Sequence, residues 1–96
     1  MEKKRNRYVD EKQRSGPHDK AEFGILKAIG EKINRDRYKL GKSVEWLGIE
    51  SETSRATIRR IFDGKYNIGV ITLDKVAKAL GYRDVMDFFR ELKNER

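Results

Sequence analysis

Two short helix-forming segments joined by a tight turn constrain the fold of this chain more than any other feature. The first begins at Ser43 and ends near Glu50, and the second begins at Ser54 and ends near Phe62. A serine at each start can accept hydrogen bonds from the free backbone N–H groups of a first helical turn. The second segment carries three arginines: Arg55, Arg59 and Arg60. Such a pair is the layout of a helix-turn-helix, whose second helix enters the DNA major groove.

Periodic apolar residues on both sides of this unit predict three more helices, over 22–40, over 70–80 and from Asp84 onward. Gly41, Gly64 and Gly81 stand where helices are expected to end. No strand pattern is present, so the sequence predicts an all-α fold of five helices. The inward-facing residues that we expect on the three flanking helices are Phe23, Leu26, Ile29, Ile33, Leu40, Val70, Leu73, Val76, Ala77, Leu80, Val85, Phe88, Phe89 and Leu92.

Two further features refine this fold prediction. The polar side of the helix over 22–40 should be either solvated or turned toward phosphates, and it carries Lys32, Arg35, Arg37 and Lys39. Gly48 stands inside the short helix that begins at Ser43, beside the expected core residue Leu47. A glycine there costs about 1 kcal/mol of helix propensity, so we expect another helix to cross too closely for a methyl group.

The bulk composition narrows the possible partners. The chain has 96 residues, a formal net charge of +7 and a pI near 9.8, which suits DNA, RNA or an anionic membrane surface. It contains no cysteine, which excludes disulfides and thiolate metal sites. No apolar run is long enough to span a bilayer, and the N-terminus lacks a hydrophobic signal region. We therefore expect a cytoplasmic protein with no membrane partner.

Residues 1–20 differ in composition from the rest of the chain. They hold seven Lys or Arg against four Asp or Glu, and Ser15-Gly16-Pro17 interrupts any helix. We expect a flexible basic N-terminal arm over 1–20 and a folded domain over 21–96. The arm is either a tail without a partner or a segment that follows the DNA backbone or minor groove.

The sequence resembles the lambda-repressor-like (Cro and Xre type) helix-turn-helix regulators over about residues 29–82. The resemblance rests on Ser43 with Leu47, on the run over 54–65, on the run over 73–81, and on the eleven-residue step between the two serines. It implies the five-helix lambda-repressor-like DNA-binding domain, with the helix-turn-helix at about 43–64. The chain departs from the family pattern at Val44, Trp46, Gly48, Ser51, Thr53 and Ile68.

The matching positions of related repressors imply which side chains would meet DNA. Those that would contact bases are Arg55, Ala56 and Arg60. The planar fork of arginine can donate to guanine O6 and N7 together, which favours a half-site containing G·C pairs. Those that would contact phosphates are Lys42, Ser43, Thr57, Arg59, Lys65, Tyr66 and Asn67. The alternatives are solvated charges for the arginines and a packing role for Tyr66.

The C-terminal helix and Trp46 are candidate protein contacts. Adjacent helical residues point in different directions, so only one of Phe88 and Phe89 should enter the core. The resemblance implies a homodimer formed through this helix, with a candidate interface of Met86, Phe88, Phe89 and Leu92. The alternative is an apolar patch within the monomer. Trp46 either closes the core edge or contacts a partner protein or a sugar-phosphate.

These features favour a sequence-specific regulator of transcription that binds double-stranded DNA as a dimer and represses by excluding polymerase. In the cell it would be associated with the nucleoid when bound. Two alternatives are an antitoxin or other protein-interaction helix-turn-helix module, and a non-specific architectural nucleic-acid binder. We expect no enzymatic activity, metal or cofactor, because the single histidine, His18, leaves no partner for a catalytic dyad or a histidine metal site.

Overall fold

The computed structural model describes residues 20–95, with side chains from residue 24 onward, and these residues form five α-helices and no strand. The helices are α1 (Lys20–Lys39), α2 (Val44–Glu50), α3 (Arg55–Asp63), α4 (Val70–Ala79) and α5 (Val85–Glu95). The predicted all-α class and five helices are confirmed for this part of the chain. The predicted arm lies outside the described residues, apart from Lys20, which begins α1.

Side-chain caps fix three of the helix starts. Ser43 Oγ accepts a hydrogen bond from the Trp46 N–H at 2.9 Å, and Ser54 Oγ accepts one from the Thr57 N–H at 3.0 Å. Asp84 Oδ1 accepts one from the Asp87 N–H at 3.0 Å. Each bond satisfies a backbone donor that has no partner within the first turn of its helix. The three predicted caps are confirmed.

Gly64 ends α3 in the left-handed conformation, with φ at 77°, and its N–H bonds to the carbonyl of Ile61. A Cβ at Gly64 would also lie 2.8 Å from Lys27 Cα, so both conformation and space require glycine here. Gly41 and Gly81 likewise have positive φ, after α1 and α4. The predicted glycine stops are confirmed.

The core forms where the apolar periodicity predicted it. Its buried members are Ile29, Ile33, Leu47, Ile58, Ile61, Ile68, Leu73, Val76, Ala77, Leu80, Val85, Phe88 and Leu92. Leu40 and Val70 were predicted wrongly, since they are 47% and 69% exposed, and Leu26 is only half-buried and lies outside this cluster. The side chain of Phe23 lies outside the described residues. Leu40 follows the last residue of α1, where the chain turns through Gly41. Val70 begins α4, and Ile68 in the preceding loop takes the buried position there.

Two glycines allow close backbone approaches. A Cβ at Gly48 would lie 2.7 Å from the Thr53 carbonyl oxygen and 3.7 Å from the backbone nitrogen of Arg55, so the predicted close approach is present, and its tightest contact is with the turn that leads into α3. The helix crossing is at Gly30 of α1, where a Cβ would lie 2.1 Å from the carbonyl oxygen of Ile61. Gly30 therefore lets α3 lie directly on α1.

The polar side of α1 is not the uniform surface that the sequence predicted. Lys32 is fully buried, and its Nζ bonds to Glu91 Oε1 at 2.6 Å and Glu95 Oε2 at 2.8 Å. Asp36 Oδ2 lies 3.5 Å from the same Nζ, and the Tyr82 hydroxyl can donate to Asp36 or Glu91. We name these five residues the Lys32 clasp. The clasp fastens α5 to α1, so the interpretation of Lys32 as a solvated or phosphate-facing residue is wrong.

Candidate nucleic-acid interface

Helix α3 presents one apolar side and one basic side. Ile58 and Ile61 are buried, and they hold the helix against the core. Since an α-helix turns once in 3.6 residues, the residues on the side opposite Ile58 and Ile61 point outward. Those residues are exposed, and they are Arg55, Ala56, Arg59 and Arg60. The structure thus brings all three predicted base-contacting residues, together with Arg59, to the surface of one helix.

The arginines of α3 have no competing ionic partner in the described part of the chain. No described Asp or Glu lies within ion-pair distance of Arg55, Arg59 or Arg60. Arg37 of α1 differs, because its guanidinium bonds to the Asn34 side chain and to the Lys42 carbonyl oxygen. Within residues 24–95, no carboxylate therefore holds the guanidinium donors of α3.

The turn between α2 and α3 is closed by polar groups. Ser51 is buried, and its hydroxyl donates to the Leu47 carbonyl oxygen at 2.6 Å. The Thr53 hydroxyl donates to the Ser51 carbonyl oxygen at 3.1 Å, and the Thr53 N–H donates to the Gly48 carbonyl oxygen at 2.8 Å. At these two positions the resembled family has small aliphatic residues. Here hydrogen bonds close the turn and set the start of α3 relative to α2.

The C-terminal end of α3 opens onto a basic depression of about 210 Å³, lined by Arg60, Asp63, Lys65 and Tyr66. Lys65 and Asn67 are exposed, whereas Tyr66 is half-buried and packs against the core. The structure thus joins one predicted base-contacting residue, Arg60, with two predicted phosphate-contacting residues. Its two cations and its phenol hydroxyl can together bind a phosphate oxygen, against the repulsion of one carboxylate, that of Asp63.

The N-terminal end of α3 has different surroundings. Arg55 lines an open groove of about 390 Å³ together with Glu45, Gly48, Ile49, Glu52, Thr53 and Ser54. We name this depression the α2–α3 groove. The sequence analysis missed the acidic neighbours of Arg55, although residues 43–54 hold three glutamates and no Lys or Arg. Arg55 and Arg60 therefore occupy electrostatically distinct surroundings.

The remaining predicted phosphate contacts lie near the helix starts. Lys42 and Ser43 are exposed before α2, and Thr57 is half-buried in the first turn of α3. Lys42 Nζ lies 5.3 Å from the centroid of the Trp46 ring, a cation–π distance. Trp46 is half-buried and packs against the core, as one of its two interpretations predicted. One edge of Trp46 thus supports the core while its ring helps place the Lys42 ammonium.

The predicted dimer surface on α5 is only partly available. Phe88 and Leu92 are buried in the monomer core, so placing them in an interface between two copies is wrong. Met86 is exposed and Phe89 is half-buried. As the sequence predicted, only one of the two adjacent phenylalanines is fully buried. The apolar surface of α5 is reduced to Met86 and part of Phe89.

In the described residues, no group of three His, Cys, Asp or Glu side chains is arranged to hold a metal ion. Nor does the same part of the chain contain a helix long and apolar enough to cross a bilayer. His18 lies outside it. No protein-family model matches the chain, and comparisons with curated proteins and with solved structures found no match.

Proposed function

We propose that this protein is a sequence-specific regulator of transcription, with a lambda-repressor-like fold, that reads the major groove of double-stranded DNA with α3. One observation carries the proposal: the outer side of α3 holds Arg55, Arg59 and Arg60, which have no ionic partner among the described side chains. Because Ile58 and Ile61 are buried, the opposite side of α3, which carries the arginines, faces outward. A helix of this width fits the major groove.

Base recognition would depend on the two ends of α3. Arg55 lies in the first turn and is our first candidate for a bidentate contact to guanine, worth about 1–3 kcal/mol of discrimination. Arg60 shares its depression with Lys65 and Tyr66, so it can bind a guanine edge or the adjoining phosphate. Ala56 leaves room for a thymine methyl group. Arg59 would contact the backbone.

Phosphate contacts would fix the position of α3 in the groove. Lys42 and Ser43 stand before α2, and Lys65 and Asn67 stand after α3, so exposed polar groups lie at both ends of the helix-turn-helix. Such contacts set register and orientation without reading sequence. Thr57 and Tyr66, both half-buried, would add to them at closer range.

We propose further that the protein acts as a homodimer that represses transcription by excluding polymerase. Two copies related by a twofold axis would place their α3 helices about one DNA turn apart. The contact between the two copies would use Met86 and the exposed part of Phe89, since Phe88 and Leu92 are buried in the core of each monomer.

Selection of bound duplexes from a random-sequence DNA library, at near-physiological salt, tests the proposal. We expect enrichment of a palindrome whose half-sites contain G·C pairs and lie about one helical turn apart. An enriched single site would retain the regulator and remove the dimer. Salt-sensitive binding without enrichment would replace it with a non-specific architectural binder.

A protein-interaction module, such as an antitoxin, is the second candidate. Ile49 on α2 and Ile71 on α4 are 71% and 74% exposed, and a protein partner that covered them would bury their apolar surface. An absence of any DNA binding in the library experiment would favour this candidate.

A further inference from the structure

The α2–α3 groove combines an exposed apolar side chain with carboxylates. Ile49 lies in its wall with 71% of its surface exposed, and Glu45 and Glu52 lie on either side of it in sequence. Glu52 Oε1 lies 3.2 Å from Lys75 Nζ. No ion pair links Glu45 to any other side chain that the structure describes. The groove thus offers an apolar contact beside an acidic one.

This part of the chain is acidic although the protein is strongly basic. The lining of the groove holds Glu45, Glu52 and Arg55, a net charge of −1, whereas the whole chain carries +7. The two carboxylates on either side of Ile49 attract a basic segment. Charge complementarity therefore specifies an occupant that is cationic and carries an apolar side chain.

The chain itself contains such a segment. Residues 3–9 read Lys3-Lys4-Arg5-Asn6-Arg7-Tyr8-Val9, four cations within five positions followed by two apolar side chains. Among the residues before α1, Tyr8 and Val9 are the sizeable apolar ones apart from Met1. The order of charges and apolar groups thus matches the contents of the groove.

The length of chain before α1 is sufficient for the contact. A path through the fold bounds the distance from Lys20 to Arg55. It follows α1 from Lys20 to Gly30, crosses to Ile61, and follows α3 back to Arg55. With 1.5 Å per helical residue and one step between the helices, its length is at most about 35 Å. The residues between Arg7 and Lys20 span up to about 45 Å when extended. A tethered segment also has an effective concentration on the order of millimolar, so a weak contact is enough.

We propose that residues 3–9 of this chain dock in the α2–α3 groove, with their cations beside Glu45 and Glu52 and their apolar end against Ile49. Because Arg55 lines the same groove, the docked segment covers one end of α3. The contact does not depend on the proposed DNA binding, and it can be tested with the full chain alone.

Paramagnetic relaxation provides the test. The chain has no cysteine, so Asp10→Cys gives one site for a nitroxide label next to the intact segment. The measured quantities are the relaxation enhancements of the Ile49 and Met86 methyl groups, with Met86 as the exposed reference on α5. We expect several-fold greater enhancement at Ile49, reduced by high salt because exposed charges are screened.

Charge variants separate docking from random approach. Glu45→Lys with Glu52→Lys should reduce the Ile49 enhancement to that of Met86, whereas Glu31→Lys, the same change at an exposed glutamate of α1, should leave it unchanged. Equal enhancement at both methyl groups in the unmodified groove would overturn the proposal. So would enhancement that persists when both groove glutamates are lysine.

A mixed sample identifies the source of the segment. Spin-labelled chains without methyl isotope are mixed with methyl-labelled chains that carry no nitroxide. Enhancement at Ile49 in this mixture would show that a second copy supplies the segment, which would overturn the contact within one chain. We expect none at low protein concentration.

Discussion

The Lys32 clasp and the outer side of α3 place cations of one basic chain in opposite settings. In the clasp, the Lys32 ammonium is fully buried and contacts carboxylates from α1 and α5. On α3, the guanidinium groups of Arg55, Arg59 and Arg60 are exposed and have no ionic partner in the described part of the chain. Cations of the same chain thus stabilise the packing of two helices in one region and stay exposed to solvent in the other.

Protonation in the clasp follows from this arrangement. Burial alone lowers the pKa of Lys32, but hydrogen bonds to Glu91 and Glu95 outweigh it and raise the pKa above its usual 10.5. The Lys32 ammonium lowers the pKa of both glutamates. Burial and the hydrogen bond to Asp36 raise the pKa of Tyr82. Lys32, Tyr82, Glu91 and Glu95 therefore keep their neutral-pH charge states over a wide range.

The largest effect is expected from removing both carboxylates that bind Lys32. Glu91→Gln with Glu95→Gln leaves a buried ammonium with Asp36 as its remaining anion, and should cost about 3 kcal/mol of unfolding free energy. Urea unfolding measures this loss. Glu31→Gln, at an exposed glutamate of α1, is the control. A loss below that of the control would mean that the clasp does not fasten α5.

Gly30 lies between the two regions, because α1 contributes Lys32 to the clasp and packs against α3 at Gly30. Gly30→Ala would place a methyl group against the Ile61 carbonyl oxygen and should destabilise the protein by about 1–3 kcal/mol. Gly24→Ala, in the same helix, meets no atom within 4 Å and should stabilise by about 0.5–1 kcal/mol. Equal effects of the two changes in thermal unfolding would contradict the close crossing of α1 and α3.

The arginines of α3 should matter for binding and not for folding. Arg55→Ala should lose about 1–3 kcal/mol on the preferred DNA sequence and relax the base preference, with stability unchanged. Lys65→Ala should weaken binding to all sequences about equally and flatten its salt dependence. Titration of labelled duplexes at several salt concentrations measures both.

Arg90→Ala is the control for these variants, since Arg90 on α5 pairs with Asp87 and lies outside the proposed interface. It should leave DNA affinity unchanged. If Arg55→Ala behaves like Arg90→Ala, the proposed orientation of α3 is wrong.

The smallest effect concerns pH, because Glu91 and Glu95 have 55% and 35% of their side chains exposed and solvent screens them. With their pKa lowered on folding, the glutamates stabilise fully above pH 4.5 and lose this contribution as pH falls through the lowered values. With its pKa raised, Lys32 stabilises fully below pH 10.5 and loses this contribution above it.

The stability difference between the original chain and the Glu91→Gln, Glu95→Gln variant should therefore be constant from pH 4.5 to neutral pH and decrease below pH 4.5. It should also decrease at alkaline pH, where Lys32 of the variant, without the two glutamates, loses its proton before Lys32 of the original chain does. Urea unfolding at a series of pH values checks it. A difference that decreases at neutral pH would contradict the assigned charge states.

Much of the candidate interface could be predicted from sequence because it depends on interactions between residues that are close together in the chain. The serine caps and glycine stops are set by neighbouring backbone groups, and the outward direction of Arg55 and Arg60 follows from Ile58 and Ile61 on the same helix. The interface on α5 was predicted less well. Helical period places Phe88 and Leu92 together with Val85 on one side, but only the packing of α5 shows that this side is the core.

The five helices, most of their ends and the basic side of α3 follow from the amino-acid sequence, since hydrogen bonding and side-chain period act over a few residues. The tertiary structure alone decided the burial of Lys32, whose glutamate partners lie 59 and 63 positions away. It likewise decided the crossing at Gly30 and the separate surroundings of Arg55 and Arg60. These features depend on which distant segments meet, because burial and ion pairing are properties of the packed chain.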